Sequence, residues 1–378
     1  MKLGFFTQPT HPDGRLLAET LEEDRMIFRL ADALGYEEGF IGEHMSAMQE
    51  NVPNALLFIA SLADTTTMKL GTGMHNLSFS HPLVVASNVA WVDQLLKGRF
   101  LFGIGAGVTF SDAEALEILH HDRHAMFDEA IAHVLALWNG EPPYDLTGQF
   151  WNISTAKTRW PEFGLGEVSK PFQRPHPPLF FGSGDARSTR LELFGERGWT
   201  MLSSDTMPAS RLAEQWARYA AGHSKAGREA DRASWRVVRA IVVADDERTA
   251  TAYGKTDANS PYRAHFHEFH EKFKRANLLD MFKSDPSVPD AEVTLDAALD
   301  ACVIAGTPDQ VTRQILEMRE ASGPFGTLLY AGKNWTDPAV SRRSMELMAD
   351  VVMPAVNAAI GQETWATDSA MPAGSVRA

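Results

Sequence analysis

The chain has 378 residues, 44% of them hydrophobic, with a formal charge of −14 and one cysteine. This supplies material for a large core but no basic run to neutralise a nucleic-acid backbone, and no apolar stretch approaches the ~18–20 residues of a membrane span. A lone Cys302 excludes an intrachain disulfide and a thiolate zinc cluster, so stability must come from packing.

The opening MKLGFFTQPT reads as a strand and not as a secretion signal, which predicts a cytoplasmic protein. Strand-like runs then recur at 2–6, 38–43, 69–75, 99–105, 177–181, 199–204, 235–245 and 325–332, with helical patterns between them. Eight alternating units with no linker predict an α/β fold, a closed (β/α)₈ TIM barrel forming a single domain over 1–361. In one helix Pro82 takes a first-turn position, Gly98 follows the last turn, and Leu83, Val85, Val89, Val92 and Leu96 form an apolar stripe. Trp91 on that helix reads as core, although its apolar surface could also serve a homodimer. Ser111 and Glu114 resemble a capping box. Insertions follow strands 4 and 7, at 139–176 and 251–298. The second mixes aromatic and charged residues and is expected to form a lid. Residues 362–378, rich in small residues, are expected to be a disordered tail.

Barrel enzymes carry their chemistry at the C-terminal strand ends. Here those ends bring Thr7 and Gln8, Glu43 and His44, His75 and Asn76, Gly105 to Gly107, Ser183 and Gly184, Ser203 to Asp205, and Lys333 to Trp335. Glycines near main-chain amides suit a flat ring or a phosphate. The set lacks the carboxylate and histidine cluster of a metal-dependent hydrolase, and no metal site is assigned. His120 and His124, four apart, would share a helix face, but no third ligand accompanies them. GIGAG has the wrong spacing for a dinucleotide fingerprint.

MKLGFF, IGEHM at 41–45, the run from KLGTGMHN to GIGAG at 69–107, AGTPDQ and VVMPAV together resemble the bacterial luciferase-like flavin monooxygenases, colinearly over nearly the whole chain. HDRHAMFDEAI, GEPPYDLTGQFWNIS, KPFQRPHPP and GTLLYAGKNW most resemble the limonene monooxygenase-like branch. The resemblance implies reduced FMN supplied by a separate flavin reductase, dioxygen, and oxygenation of a small hydrophobic substrate, terpene-like, by epoxidation or Baeyer–Villiger insertion. It makes His44 the group that stabilises the flavin peroxide or handles its proton, with Glu43 orienting His44 or adjacent backbone. An imidazole suits that role because it both donates and accepts near neutrality. Met45 stands where luciferases proper have a second histidine, which argues against luminescent aldehyde chemistry.

The resemblance also places Gly73 and Met74 at a position where family members carry a non-proline cis peptide beneath the flavin, with His75 and Asn76 at the ring edge or ribityl chain. At Gly105, Ala106 and Gly107, alanine replaces a phosphate-binding arginine, so the phosphate is expected at Ser183, Gly184, Arg187, Ser188 and Thr189, with Asp185 capping the helix. Thr7, Met45 and Trp335 are assigned to the substrate pocket. Rival readings are a deazaflavin-dependent hydride-transfer enzyme of the same superfamily, a non-catalytic flavin-binding protein, and a metal-dependent barrel hydrolase.

Overall fold

The structure, a computed structural model, describes residues 1–361 except Met48 and Asn51. The expected tail at 362–378 lies outside the described residues. Eight parallel strands close on themselves: β1 (Lys2–Thr7), β2 (Glu38–Ile41), β3 (Lys69–Thr72), β4 (Phe100–Gly105), β5 (Leu179–Ser183), β6 (Thr200–Ser203), β7 (Arg236–Val243) and β8 (Thr327–Gly332). Each pairs with its sequence neighbours, and β1 pairs with β8, Gly4 lying opposite Leu329. All eight strand-like runs fall on barrel strands.

Alternation along each strand sends one set of side chains inward and the other toward the helices. Phe6, Phe40, Leu101, Phe180, Leu202, Val238, Leu329 and Ala331 fill the barrel interior. Three phenylalanines fit there because glycines face them. A Cβ on Gly71 would lie 2.6 Å from the Phe40 ring, and one on Gly103 would lie 2.3 Å from Phe180 and 2.0 Å from the Thr72 carbonyl. Below this layer Arg236 donates to both oxygens of buried Glu38, at 2.6 and 2.9 Å, and its guanidinium lies over Phe40 and Phe180. Burial alone would raise the Glu38 pKa, but the Arg236 charge and hydrogen bonds outweigh it and the net shift is downward. The barrel floor is thus shut by rings and an ion pair.

Helix Pro82–Leu96 starts at the expected proline, with His81 accepting from the Leu83 amide, and ends through Lys97 and Gly98 at positive φ. Trp91 is not core: it is 58% exposed, on the face opposite Val85, Val89 and Val92. The expected capping box at Ser111 is also absent. A short helix, Phe110–Ala115, runs through Ser111, and the next, Arg123–Asn139, is capped by the Asp122 carboxylate.

The second insertion is mainly helical, with Pro261–Arg275 and the start of Leu295–Cys302 its longest pieces, and just after it a strand, Val303–Gly306, adds to β7. That strand escaped the sequence reading. Tyr262, Phe266, Leu279 and Phe282 form an apolar cluster with Ala240, Val242 and Ala244, so the insertion is packed onto the upper end of β7. A buried polar latch fastens it. Lys333 Nζ, just past β8, donates to Asp205 Oδ2 past β6 at 3.0 Å and to His265 Nε2 of the insertion at 2.9 Å. Burial and the Lys333 charge push the His265 pKa down to about 3, so this imidazole is neutral.

Candidate active site

At the open end of the barrel lies a cavity of about 310 Å³, near the lower bound of small-molecule sites. Its wall includes Gly73, Met74 and Asn76 after β3, Gly105, Ala106, Gly107 and Val108 after β4, and Gly182, Ser183, Gly184, Ser188 and Arg190 after β5. Gln8, Glu43, His44 and Ser204 border it, and Phe127, Phe181 and Phe194 contribute aromatic faces. The Gly73–Met74 peptide is cis, at the position the sequence singled out. Glycine is needed on this wall. A Cβ at Gly105 would sit 3.2 Å from the Met74 Cβ, one at Gly182 would sit 2.9 Å from its Cε, and Gly107 has φ +75° with Phe79 beneath it.

The carboxylate of Glu43 is buried and does not orient His44. It lies 2.9–3.0 Å from His75 Nδ1 and accepts from the amides of Asn76 and Ala55. Burial pushes its pKa up, but His75 and these amides overcome that and hold it low. His75 does not face the cavity; its ring lies toward Phe102 in the layer between sheet and helices. Glu43 and His75 therefore brace the β3 exit, while Asn76 reaches the wall.

His44 borders the cavity, as expected. Its Nε2 is 2.9 Å from Glu50 Oε2, its Nδ1 is 2.8 Å from Thr109 Oγ1, and Asp112 Oδ2 is 3.9 Å from Nδ1. Burial lowers its pKa, but Glu50, with help from Asp112, more than compensates and raises it above the ordinary histidine value. The group is poised to carry a proton near neutrality.

The anion end departs further from expectation. Arg187 is exposed and pairs with Asp280, and Thr189 is exposed and off the wall; neither lines the cavity. Asp185 accepts from the Arg187 amide in a local turn and does not cap helix Arg190–Arg197. The cation at the wall is Arg190. It donates to Asp128 at 2.8 and 3.2 Å and lies over Phe127 and Phe194. Arg197 donates to the same carboxylate at 2.9 Å, so two guanidinium groups share one negative charge and a net positive charge remains. An arginine as the first residue of a helix opposes the helix dipole, and this was the one signal in the sequence that could have flagged it.

Thr7, Met45 and Trp335 do not wall the cavity. Thr7 is buried and donates to the Gly332 carbonyl, Met45 is exposed with its amide turned to Asp112, and Trp335 packs against the outer core. No described residue of 251–298 lines the cavity either; that insertion meets its edge through Met281 near Gly184 and Lys272 near Glu50. His120 and His124 do not share a helix face, because the helix begins at Arg123; His124 instead lines the cavity, as Arg190 does. Burial and then the Arg190 charge lower the His124 pKa.

A closed parallel barrel with a glycine-walled, part-aromatic cavity, a poised histidine and a cationic end defines a cofactor-dependent oxidoreductase of the TIM-barrel type. Residues 1–324 match the luciferase-like monooxygenase family, and the chain belongs to it. It is 29% identical over 366 residues to 4-hydroxyprotoasukamycin monooxygenase from Streptomyces nodosus subsp. asukaensis, covering 95% of this chain and 93% of that protein. It is 27% identical to limonene 1,2-monooxygenase of Rhodococcus erythropolis, covering 95% and 87%. Among solved structures it is similar to a type II Baeyer–Villiger monooxygenase, the oxygenating constituent of 3,6-diketocamphane monooxygenase of Pseudomonas putida in complex with FMN. The TM-score is 0.84 at 26% identity, over 94% of this chain and 99% of that one. A shorter match, 62% of the chain at 27% identity, is to an F420-dependent hydroxymycolic acid dehydrogenase of Mycobacterium tuberculosis.

Proposed function

We propose that the protein is the oxygenase component of a two-component system, using reduced FMN from a separate reductase and dioxygen to oxygenate a small hydrophobic substrate. The observation that carries this reading is the cavity itself. Its glycine wall leaves space that any Cβ would take, its flanks are aromatic, and one end holds net positive charge. The residues present fit a flat ring with an anionic tail. Met74 and the Gly105–Gly107 backbone would flank the ring, and Asn76, Gln8 and Ser204 would meet its polar edge or chain. Ser183, Gly184, Ser188 and Arg190 would receive the phosphate; Arg187 and Thr189 are off the wall and drop out of that set.

Reduced flavin, when bound, supplies the electrons that activate dioxygen. The chain's own contribution is to exclude water with Phe127, Phe181 and Phe194 and to hold or release a proton at His44. Glu43 and His75 act by bracing the loop that carries Asn76.

The deciding experiment is an anaerobic titration with reduced FMN followed by rapid mixing with dioxygen. Binding, and flavin reoxidation much slower than in free solution, support the oxygenase. Absent FMN binding with tight binding of reduced F420 would replace it by deazaflavin hydride transfer, the reading to which the F420-dependent relative lends weight. His44→Ala should raise the share of turnovers that release hydrogen peroxide instead of product; unchanged coupling would remove His44 from its role.

A further inference from the structure

Glu50 is 5% exposed, on the loop after β2, where it bridges to Thr10 of the loop after β1. A carboxylate withdrawn from water needs a cation or donors to accompany it. Its close ionic partners are His44, whose Nε2 lies 2.9 Å from Oε2 as a charge contact without the alignment of a hydrogen bond, and Lys272, from helix Pro261–Arg275 of the insertion, at 3.9 Å from its other oxygen. His44 cannot turn a free nitrogen to the cavity without giving up Glu50 or Thr109. Thr109 directly follows Val108, which lines the wall.

We propose that Glu50 is the positioning residue for the His44 proton: it keeps hydrogen on Nε2, so that the proton exchanged is the one on Nδ1, passed to and from the cavity by the Thr109 hydroxyl. The inference rests on the oxygenase reading of this same site. In the imidazolium form Nδ1–H donates to Thr109 Oγ1, and the hydroxyl hydrogen turns past Val108, behind which Thr109 sits, toward an acceptor in the cavity. Transfer moves that hydrogen to the acceptor and the Nδ1 hydrogen to threonine, leaving neutral imidazole that now accepts from the hydroxyl. One proton leaves the ring, one reaches the acceptor, and no electron pair changes owner. Lys272 competes with His44 for the Glu50 carboxylate and so links the insertion to the proton.

The charged groups facing His44 are Glu50, Asp112 on helix Phe110–Ala115, and Lys272, with neutral His265 behind Glu50. Asp112 is committed to the amides of Met45 and Ser46 and to the Ser46 hydroxyl.

The test is a histidine-selective ¹H–¹⁵N NMR titration of flavin-free protein. In the wild type His44 titrates above the ordinary value of about 6.5, with hydrogen retained on Nε2. Glu50→Gln should lower it markedly, because burial and the Lys272 charge are then opposed only by the more distant Asp112, and Glu50→Asp should restore part of the rise. Lys272→Gln, an exposed change, should move it further up. An unmoved His44 in Glu50→Gln overturns the proposal. Should that variant fail to fold, an unmoved His44 in Lys272→Gln overturns it instead. Thr109→Val should keep the titration and lower single-turnover product yield at least tenfold, with Thr109→Ser restoring it; equal yields overturn the relay. Because the titration uses no flavin, loss of the oxygenase reading would appear separately, as failure to bind FMN.

Discussion

Acid should loosen the insertion from the barrel through His265. Unfolded histidine takes a proton near pH 6.5, whereas the folded imidazole, buried beside Lys333, resists until about pH 3. Between those values unfolding takes up a proton, so stability is complete above pH 6.5 and falls as pH drops, by about 1.4 kcal/mol per unit. At pH 5 the loss is about 2 kcal/mol. His265→Gln keeps an acceptor for Lys333 Nζ but cannot titrate, so it serves as the control. Urea unfolding followed from pH 7.5 to 5 should show the wild type losing about 2 kcal/mol more than the variant across that range. Hydrogen exchange should place the weakening in helix Pro261–Arg275. Parallel pH profiles for the two proteins would refute the reasoning, because the latch would then not exclude the proton.

Other changes probe the floor, the anion end, the cavity wall and the outer surface. Glu38→Gln strands the Arg236 guanidinium and should cost about 3–5 kcal/mol by urea unfolding, with flavin affinity retained in the folded fraction. Arg190→Met should weaken reduced-FMN binding by roughly 10- to 100-fold in fluorescence titrations, the worth of about 1.5–3 kcal/mol for a charged hydrogen bond. Gly105→Val should abolish FMN binding and also lower the thermal midpoint, since its Cβ alone would lie 3.2 Å from the Met74 Cβ. Trp91→Ser should change monomer stability by no more than about 0.5 kcal/mol, as for other exposed positions; loss of a dimer in sedimentation would instead mark that helix face as an interface.

The barrel was readable because each strand is short, apolar and bounded by turn residues, and all eight such runs became staves. The cis peptide position and the Gly105–Gly107 wall were readable through family resemblance, and His44 through its place at a strand end. What stayed hidden depended on side-chain direction and distant pairing. His75 and Asn76 are adjacent, so strand alternation sends one outward and the other to the cavity, and pattern alone did not say which. Trp91 looked like core because tryptophan is apolar, yet its helix already has a complete buried stripe. Arg187 and Arg190 lie three positions apart across a loop–helix junction, and the Asp280 and Asp128 partners that separate their roles lie far along the chain. The strand Val303–Gly306 escaped notice because, four residues long, it falls in the stretch between the 251–298 insertion and β8 that was expected to hold only a helix.

The interlock of Phe40 with Gly71 and Phe180 with Gly103 bears on how such an enzyme could be remodelled. Cavity depth and barrel closure are one variable here: shaving a phenylalanine opens a void beside a strand held at glycine spacing, and filling a glycine drives the strands apart. Variation for new substrates is therefore affordable only sideways, at Val108, Ser204 and the aromatic flank, where a changed side chain alters the width of the chamber without touching the staves that form it.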